Sequence, residues 1–278
     1  MNEITIIIIT YKSEKIIYDF IKKIPSTIKT IIIENSQNYE LKNNIEQNYN
    51  NISVYIKENN GVSSALNFAV NKIETKYFLQ ISPDIEFNFE YLETFIEYAK
   101  KFKDRFAAIG PRFLNVKEKS HKQIDDKFEF GKIDSVHGSC MFINKESFID
   151  IGKFDENFFL YFEETEYCHR AKKKGYFSYQ INILKVNSKG RSVVIENEKN
   201  ENFSNVLIWH FIWSKYYFNK KKNGRLISLL IFLPVIIRIL LRISFYKITK
   251  NNLLLEKYLI RFDGLIKSIK GEKSNLRP

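Results

Sequence analysis

Six consecutive residues near the N-terminus, Ile4-Thr5-Ile6-Ile7-Ile8-Ile9, constrain the fold more than any other feature of the chain. A continuous β-branched run is how a strand buried on both faces reads, and such strands belong to parallel sheets covered by helices. A second buried run stands at 30–33, an alternating strand at 52–56, and further strands read at 77–81 and 106–109. Between these runs lie segments with helical character at 13–24, 39–48, 62–73 and 89–102, the first with Ser13 as N-cap and Pro25 as stop. Strand–helix–strand units in this rhythm predict an α/β fold, a mostly parallel Rossmann-like central sheet flanked by helices. The run at 4–9 follows Glu3 without a basic leader, so it does not read as a signal peptide.

In open sheets of this kind ligands bind beyond the carboxyl ends of the strands. That rule gathers Thr10-Tyr11, Glu34-Asn35, 57–61 with Asn60-Gly61, and Ser82-Pro83-Asp84 around one crevice. Each segment alone is compatible with a plain polar turn. The ten glycines form no GxG and no GxxxxGK[ST], which removes the dinucleotide fingerprint and the P-loop. Two cysteines, Cys140 and Cys168, and four scattered histidines give neither a disulfide scaffold nor a zinc site, and fit a reducing compartment. A formal net charge of +12 calls for an anionic partner: a phosphorylated ligand, an acidic membrane or a nucleic acid. No recognisable nucleic-acid module supports the last.

The four segments, with Asn67 in the helix after Gly61, resemble family-2 glycosyltransferases of the GT-A fold. So does the ordered block Gly138-Ser139-Cys140-Met141-Phe142-Ile143, then Ile151-Gly152-Lys153-Phe154-Asp155-Glu156, then 158–166 ending in Glu163-Glu164-Thr165-Glu166. That block is similar to rhamnosyltransferase-like members, which build bacterial surface polysaccharides. The resemblance covers roughly 3–192 and implies a domain at 1–200 followed by an extension at 201–278.

What the resemblance implies is sugar transfer from a nucleotide diphosphate to a hydroxyl of a growing, lipid-linked glycan, with inversion. Asp84 becomes the ligand of Mg²⁺ or Mn²⁺ bridging the diphosphate, with Ser82 where relatives often carry an acid or Asn, and Glu86 as a helper. The alternative for Asp84 is a cap on a helix beginning near Phe87. Glu164 becomes the base that takes the acceptor proton, with Glu163 as its alternate; acids in a first helical turn also simply complement the helix dipole. Glu34 and Asn35 would face the nucleotide, Tyr11 would stack on its base, and Thr10, Asn60 and Gly61 would line the same pocket. Gly138, Ser139 and Glu166 would line the acceptor and sugar side, although Glu166 also stands four residues before Arg170, an ion-pair spacing. Downstream, Asn187 occupies a position that is often His, and Lys189 and Arg191 would touch the diphosphate directly, or else be plain solvated loop charges. A non-catalytic nucleotide-sugar or glycan-binding module of the same fold is the competing reading.

The extension is aromatic and basic, then apolar over 226–237, with Lys220-Lys221-Lys222 and Arg225 before it and Arg238, Arg242, Lys247 and Lys250 after. The apolar run is too short to cross a bilayer. Its basic flanks suit an anionic membrane surface, placing the protein in the cytoplasm, peripheral on the inner face of the cell membrane. Packing on protein is the alternative.

Overall fold

The computed structural model describes residues 3–115, 122–190 and 201–278, with side chains omitted at 201 and 202. The chain forms two compact units, Met1–Asp155 with Glu163–Ile195, and Glu156–Phe162 with Glu196–Pro278.

The first unit opens with β1 (Ile4–Thr10), α1 (Glu14–Ile21), β2 (Lys29–Glu34), α2 (Tyr39–Asn48), β3 (Ile52–Ile56), α3 (Val62–Val70) and β4 (Tyr77–Ile81). It continues with β5 (Ile85–Glu86), α4 (Tyr91–Lys101), β6 (Ile109–Phe113), β7 (Phe130–Ile133), β8 (Cys140–Asn144), α5 (Lys145–Ile151), α6 (Glu163–Lys173) and β9 (Ser178–Ser188). The strand order is β3-β2-β1-β4-β8-β6-β9-β5, with β7 also on β9. β1 to β4 pair in parallel, as does β6 with β9; β8 runs antiparallel between β4 and β6. The isoleucines of β1 divide between two apolar layers, Ile4, Ile6 and Ile8 on one face and Ile7 on the other, which is why the strand is apolar at nearly every position.

Several local expectations shift. Ser13 precedes α1 but makes no capping bond; its hydroxyl donates to the Tyr11 carbonyl at 3.2 Å instead. The strand expected at 106–109 begins its ladder at Ile109 and runs through Pro111, with a register break between Pro111 and Arg112. No helix starts near Phe87. α4 begins at Tyr91, so Asp84 caps nothing.

The second unit holds α7 (Glu201–Asn223), α8 (Arg225–Ile248) and α9 (Asn252–Lys270). Its core joins Ile212, Tyr216, Phe232, Ile239 and Leu265. Gly264 lets α9 approach α7, since a Cβ there would lie 2.8 Å from the Trp209 carbonyl oxygen. The Trp209 indole donates to Asp263 at 2.7 Å and the Ser268 hydroxyl to the Trp213 carbonyl at 2.9 Å. α8 runs well past 226–237 despite Pro234, whose ring is exposed.

Candidate active site

Parallel register brings the ends of β1, β2 and β3 to one sheet edge. Thr10 stands opposite Glu34, and Glu34 opposite Ile56. Glu34 is fully buried and its carboxylate is already engaged. It accepts from the Thr10 hydroxyl at 2.6 Å and the Ser36 amide at 2.5 Å, and also from the Ser36 hydroxyl. The group expected to face a nucleotide therefore ties strand ends together. Its neighbour is the open acceptor: the Asn35 backbone N–H donates to the Thr10 carbonyl at 2.9 Å, while its buried side-chain Oδ1 has no hydrogen-bond partner among the described residues. Burying such an atom unpaired is costly, which marks it as an acceptor available to a ligand N–H. Tyr11 is half-buried, with the Lys12 ammonium 5.3 Å from its ring centre. Gly61 has φ +93°, a conformation that disfavours any side chain, and starts α3; Asn60 beside it is exposed. Asn67 is structural, pairing with both backbone polar groups of Phe154 at 2.9 and 3.1 Å.

A second cluster forms where β4 ends. The Ser82 amide donates to the Ser139 carbonyl at 2.8 Å, one step beyond the Ile81–Cys140 pair. Asp84 follows. It is 7% exposed, its Oδ2 accepts from the Ser188 hydroxyl at 2.9 Å, and its backbone carbonyl accepts from the Lys189 amide at 2.8 Å. β5 pairs with the end of β9, Ile85 against Ser188 and Glu86 against Asn187, and the Lys189 ammonium lies 3.9 Å from Glu86. Burial raises the Asp84 carboxyl above its usual range, while the Ser188 hydroxyl opposes the shift. Among the described residues no lysine, arginine or histidine pairs with it. Arg191 lies outside the described residues.

The acid pair opens α6. Gly138 lies beside Glu164: a Cβ on this glycine would meet the Cγ, Cδ and Oε2 of Glu164, each at 3.5 Å. Ser139 in turn has its hydroxyl 2.7 Å from Nδ1 of His137, whose ring packs on Phe113. Three bonded or touching steps thus run from the Asp84 loop through Ser139 and Gly138 to Glu164. Glu163 is 7% exposed, and its Oε2 has no hydrogen-bond partner among the described residues. Burial, then the neighbouring Glu164, drives its carboxyl well above the ordinary glutamate range. Glu164 is less enclosed and is also raised by burial, while the Thr165 hydroxyl, donating at 3.0 Å, pulls the other way. Of the two acids, Glu164 is the less perturbed and the more accessible.

Glu166 belongs to a different device. Its buried carboxylate pairs with Arg170 at 3.1 Å, and the guanidinium donates to the carbonyls of Ile151, Gly152 and Lys153 at 2.7–2.8 Å. It is committed to holding that turn rather than to a sugar pocket. Cys140 and Cys168 are buried with thiols pushed up by burial, Cys168 to about 11, so neither is a nucleophile at neutral pH. Cavities of about 730 and 720 Å³ lie beside Phe87 and Phe89, and along 122–135 with Phe177; neither is lined by Asp84 or Glu164. Ser188 and His137 are the neighbours that sequence reasoning missed. Ser188 was within reach of it, one residue after Asn187.

The family model described as Glycosyl transferase family 2 matches residues 5–152, more than half of the chain. The chain belongs to glycosyl transferase family 2. The matched stretch contains Asp84, Gly138 and Ser139 but ends before the acid pair, so the placement of Glu163 and Glu164 beside this family-2 domain comes from the geometry above. Among curated proteins, the low-salt glycan biosynthesis hexosyltransferase Agl10 of Haloferax volcanii is 25% identical over 195 residues, covering 63% of this chain. The match spans 63% of that relative's own length, less than two thirds. Among solved structures, mannosyltransferase PcManGT from Pyrobaculum calidifontis, in complex with GDP-Man and Mn²⁺, superposes with TM-score 0.62 at 11% identity, covering 98% of this chain and 88% of that one. Residues 1–349 of S. aureus TarS give 0.53 at 13% identity, covering 97% and 90%. GalNAc-T7 with UDP, GalNAc and Mn²⁺ gives 0.55 at 14%, covering 79% and 50%. These likenesses establish the GT-A fold.

Proposed function

We propose that this family-2 chain is an inverting glycosyltransferase that moves a sugar, a hexose or a related deoxyhexose such as rhamnose, from a nucleotide diphosphate to a glycan hydroxyl. The single observation that carries the reading is the Ser82–Ser139 hydrogen bond with Gly138 against Glu164, because it links the Asp84 loop to Glu164 through a two-residue strip.

In this reading Glu164 accepts the acceptor proton as the acceptor oxygen bonds to the anomeric carbon and the bond from that carbon to the diphosphate oxygen breaks. Attack from the side opposite the leaving group inverts the configuration. The stronger upward shift of Glu163, from burial and then from the neighbouring Glu164, favours its protonated form beside Glu164 and so a single charge on the buried pair. Asp84, oriented by Ser188, is a buried carboxylate without a cationic side-chain partner among the described residues. That fits a hard divalent cation, Mg²⁺ or Mn²⁺, which binds through one or two carboxylates and substrate phosphates. When bound, such an ion supplies charge stabilisation to the departing diphosphate. PcManGT and GalNAc-T7 were solved with Mn²⁺. Lys189, whose amide bonds the Asp84 carbonyl, adds positive charge on the same side; Arg191 follows two residues later in the sequence. Thr10, Tyr11, Asn35, Asn60 and Gly61 receive the nucleoside, with the Asn35 Oδ1 accepting from a base or ribose donor.

The acceptor in this reading is a lipid-linked glycan at the cytoplasmic face of a membrane, in keeping with a glycan-biosynthesis relative and a basic C-terminal unit. The test is a panel of hexosyl and deoxyhexosyl nucleotide donors, read by release of nucleoside diphosphate with Mg²⁺ or Mn²⁺. One donor should turn over. Glu164→Gln should abolish turnover and keep nucleotide binding, and NMR of the product should show the inverted anomer. Undiminished turnover in that variant removes the base assignment.

A further inference from the structure

The positive surplus of this chain is not spread along it. Residues 201–278 hold 15 of the 44 lysines and arginines but only four of the 32 acids, so they carry +11 of the formal +12. Residues 1–200 are nearly neutral. The anionic partner that the charge implies is therefore a partner of the helical unit.

The shape of that unit says which partner. The 24 residues of α8 include no acid. One of its faces is closed, Phe232 and Ile239 lying in the core shared with α7 and α9. The opposite face is apolar and open: Leu226, Leu230, Ile237, Leu241 and Ile248 are 78, 70, 49, 67 and 80% exposed. Steps of four, seven, four and seven residues align them in one stripe. It runs the length of the helix, about 36 Å. Exposed Arg238 and Arg242 flank it, Arg225 stands at its start, and Lys247 and Lys250 at its end. A contiguous apolar stripe rimmed by one sign of charge marks an interaction surface.

We propose that this face of α8 lies flat in the surface of an anionic lipid bilayer, the leucine–isoleucine stripe at the acyl boundary and the arginines and lysines among the headgroups. A second copy of the chain is a poor occupant, because two units of +11 would meet with their basic rims opposed. Spanning is also a poor fit. α8 has the length and hydropathy to cross a bilayer. Its inner face, however, is packed against α9, which carries Glu256, Lys257, Arg261, Asp263 and Lys267 along the same length. Insertion across the membrane would carry those charges into hydrocarbon or strip α8 from its own core. The inference deepens the proposed function by naming the surface that brings the enzyme to a membrane-borne acceptor. Its test reads binding rather than transfer, so the two can fail separately.

The experiment floats the full chain with phosphatidylcholine vesicles and with phosphatidylcholine–phosphatidylglycerol vesicles. Co-flotation should be at least about tenfold greater on the anionic vesicles and should fall in high salt. Alkaline carbonate should release the bound protein. Leu230→Glu/Ile237→Glu/Leu241→Glu alters only exposed positions; it should keep its circular dichroism and vesicle-free donor turnover and lose flotation. Arg238→Gln/Arg242→Gln should weaken flotation without abolishing it. Four results overturn the proposal: no flotation of the wild type, equal flotation of the triple-Glu variant, carbonate-resistant binding, or a dimer by light scattering that the triple-Glu variant dissolves.

Discussion

Gly138 lies against the carboxylate of Glu164, where an added methyl group would sit at ordinary contact distance. One strand step away Ser139 accepts from the Ser82 amide, so the same two residues carry the link to Asp84. Gly138→Ala should therefore stay within a few fold of wild type. Gly138→Val forces its branches into the Glu164 carboxylate and should lower kcat at least about tenfold, the equivalent of about 1.4 kcal/mol. Donor binding, read by nucleotide titration calorimetry, should stay unchanged. A Val variant that loses nucleotide affinity instead would place this glycine on the donor side.

The two acids of α6 should separate by charge. Both carboxyls are raised by burial, Glu163 the further of the two. For an acid whose folded pKa exceeds its unfolded value, the stabilising contribution is complete below the unfolded value, near 4.5, and is lost as pH rises through the folded one. At neutral pH the pair therefore weighs against the folded state. Glu163→Gln keeps the shape and removes the ionisable group, so its Tm relative to wild type should be more favourable at pH 8 than at pH 5, and it should retain turnover. Glu164→Gln should lose turnover at every pH. In the wild type, kcat/KM should climb with pH on an acidic limb above the ordinary glutamate range, because the base works only when deprotonated.

Arg170 should not tolerate lysine. Its guanidinium satisfies Glu166 and three backbone carbonyls of the turn at 151–153, a fork that a single ammonium cannot reproduce. Arg170→Lys should cost about 2–4 kcal/mol, since Glu166 is left buried and poorly paired. Gly152→Ala should also destabilise, by about 1–3 kcal/mol: its φ is +97°, and the new Cβ would sit 2.9 Å from a guanidinium nitrogen. Urea denaturation of both variants measures the effect, and an Arg170→Lys midpoint equal to wild type would remove the clamp.

The sequence disclosed the sheet edge better than the chemistry along it. β1, β2 and β4 were legible because strands buried on both faces leave runs that are apolar at most positions, and Gly61 because a helix start at positive φ favours glycine. β9 was not, although it is the longest strand described. It runs Ser178–Ser188 with polar Gln180 and Asn182 inside it, their side chains bonding each other and the turn at 125–128. At the site, residue type suggested carboxylates but not their partners. Glu34 and Glu166 look as available in the sequence as Asp84 does; only tertiary pairing shows them closed by Thr10 and Ser36 and by Arg170. Asp84 could be read as a helix cap until α4 proved to begin at Tyr91.

The helical unit should carry its own acid sensitivity. His210 is fully buried on α7, stacked on Phe159, with its Nε2 2.7 Å from the Leu276 carbonyl and its Nδ1 2.9 Å from the Ser274 hydroxyl. Donating from Nε2 and accepting at Nδ1 suits the neutral ring, and burial lowers its pKa to about 4. An imidazole depressed in the folded state leaves stability intact above its unfolded value of 6.5. As pH falls from there towards 4, the unfolded chain takes up a proton that the folded one refuses, and stability drains away. The full loss is about 3 kcal/mol. His210→Phe keeps the stack and removes the titration, at the cost of both hydrogen bonds. It should be less stable than wild type at pH 7.5, and the gap between the two urea midpoints should narrow by pH 4.5. A gap that holds constant across that range would mean that His210 takes its proton in the folded protein as readily as in the unfolded chain.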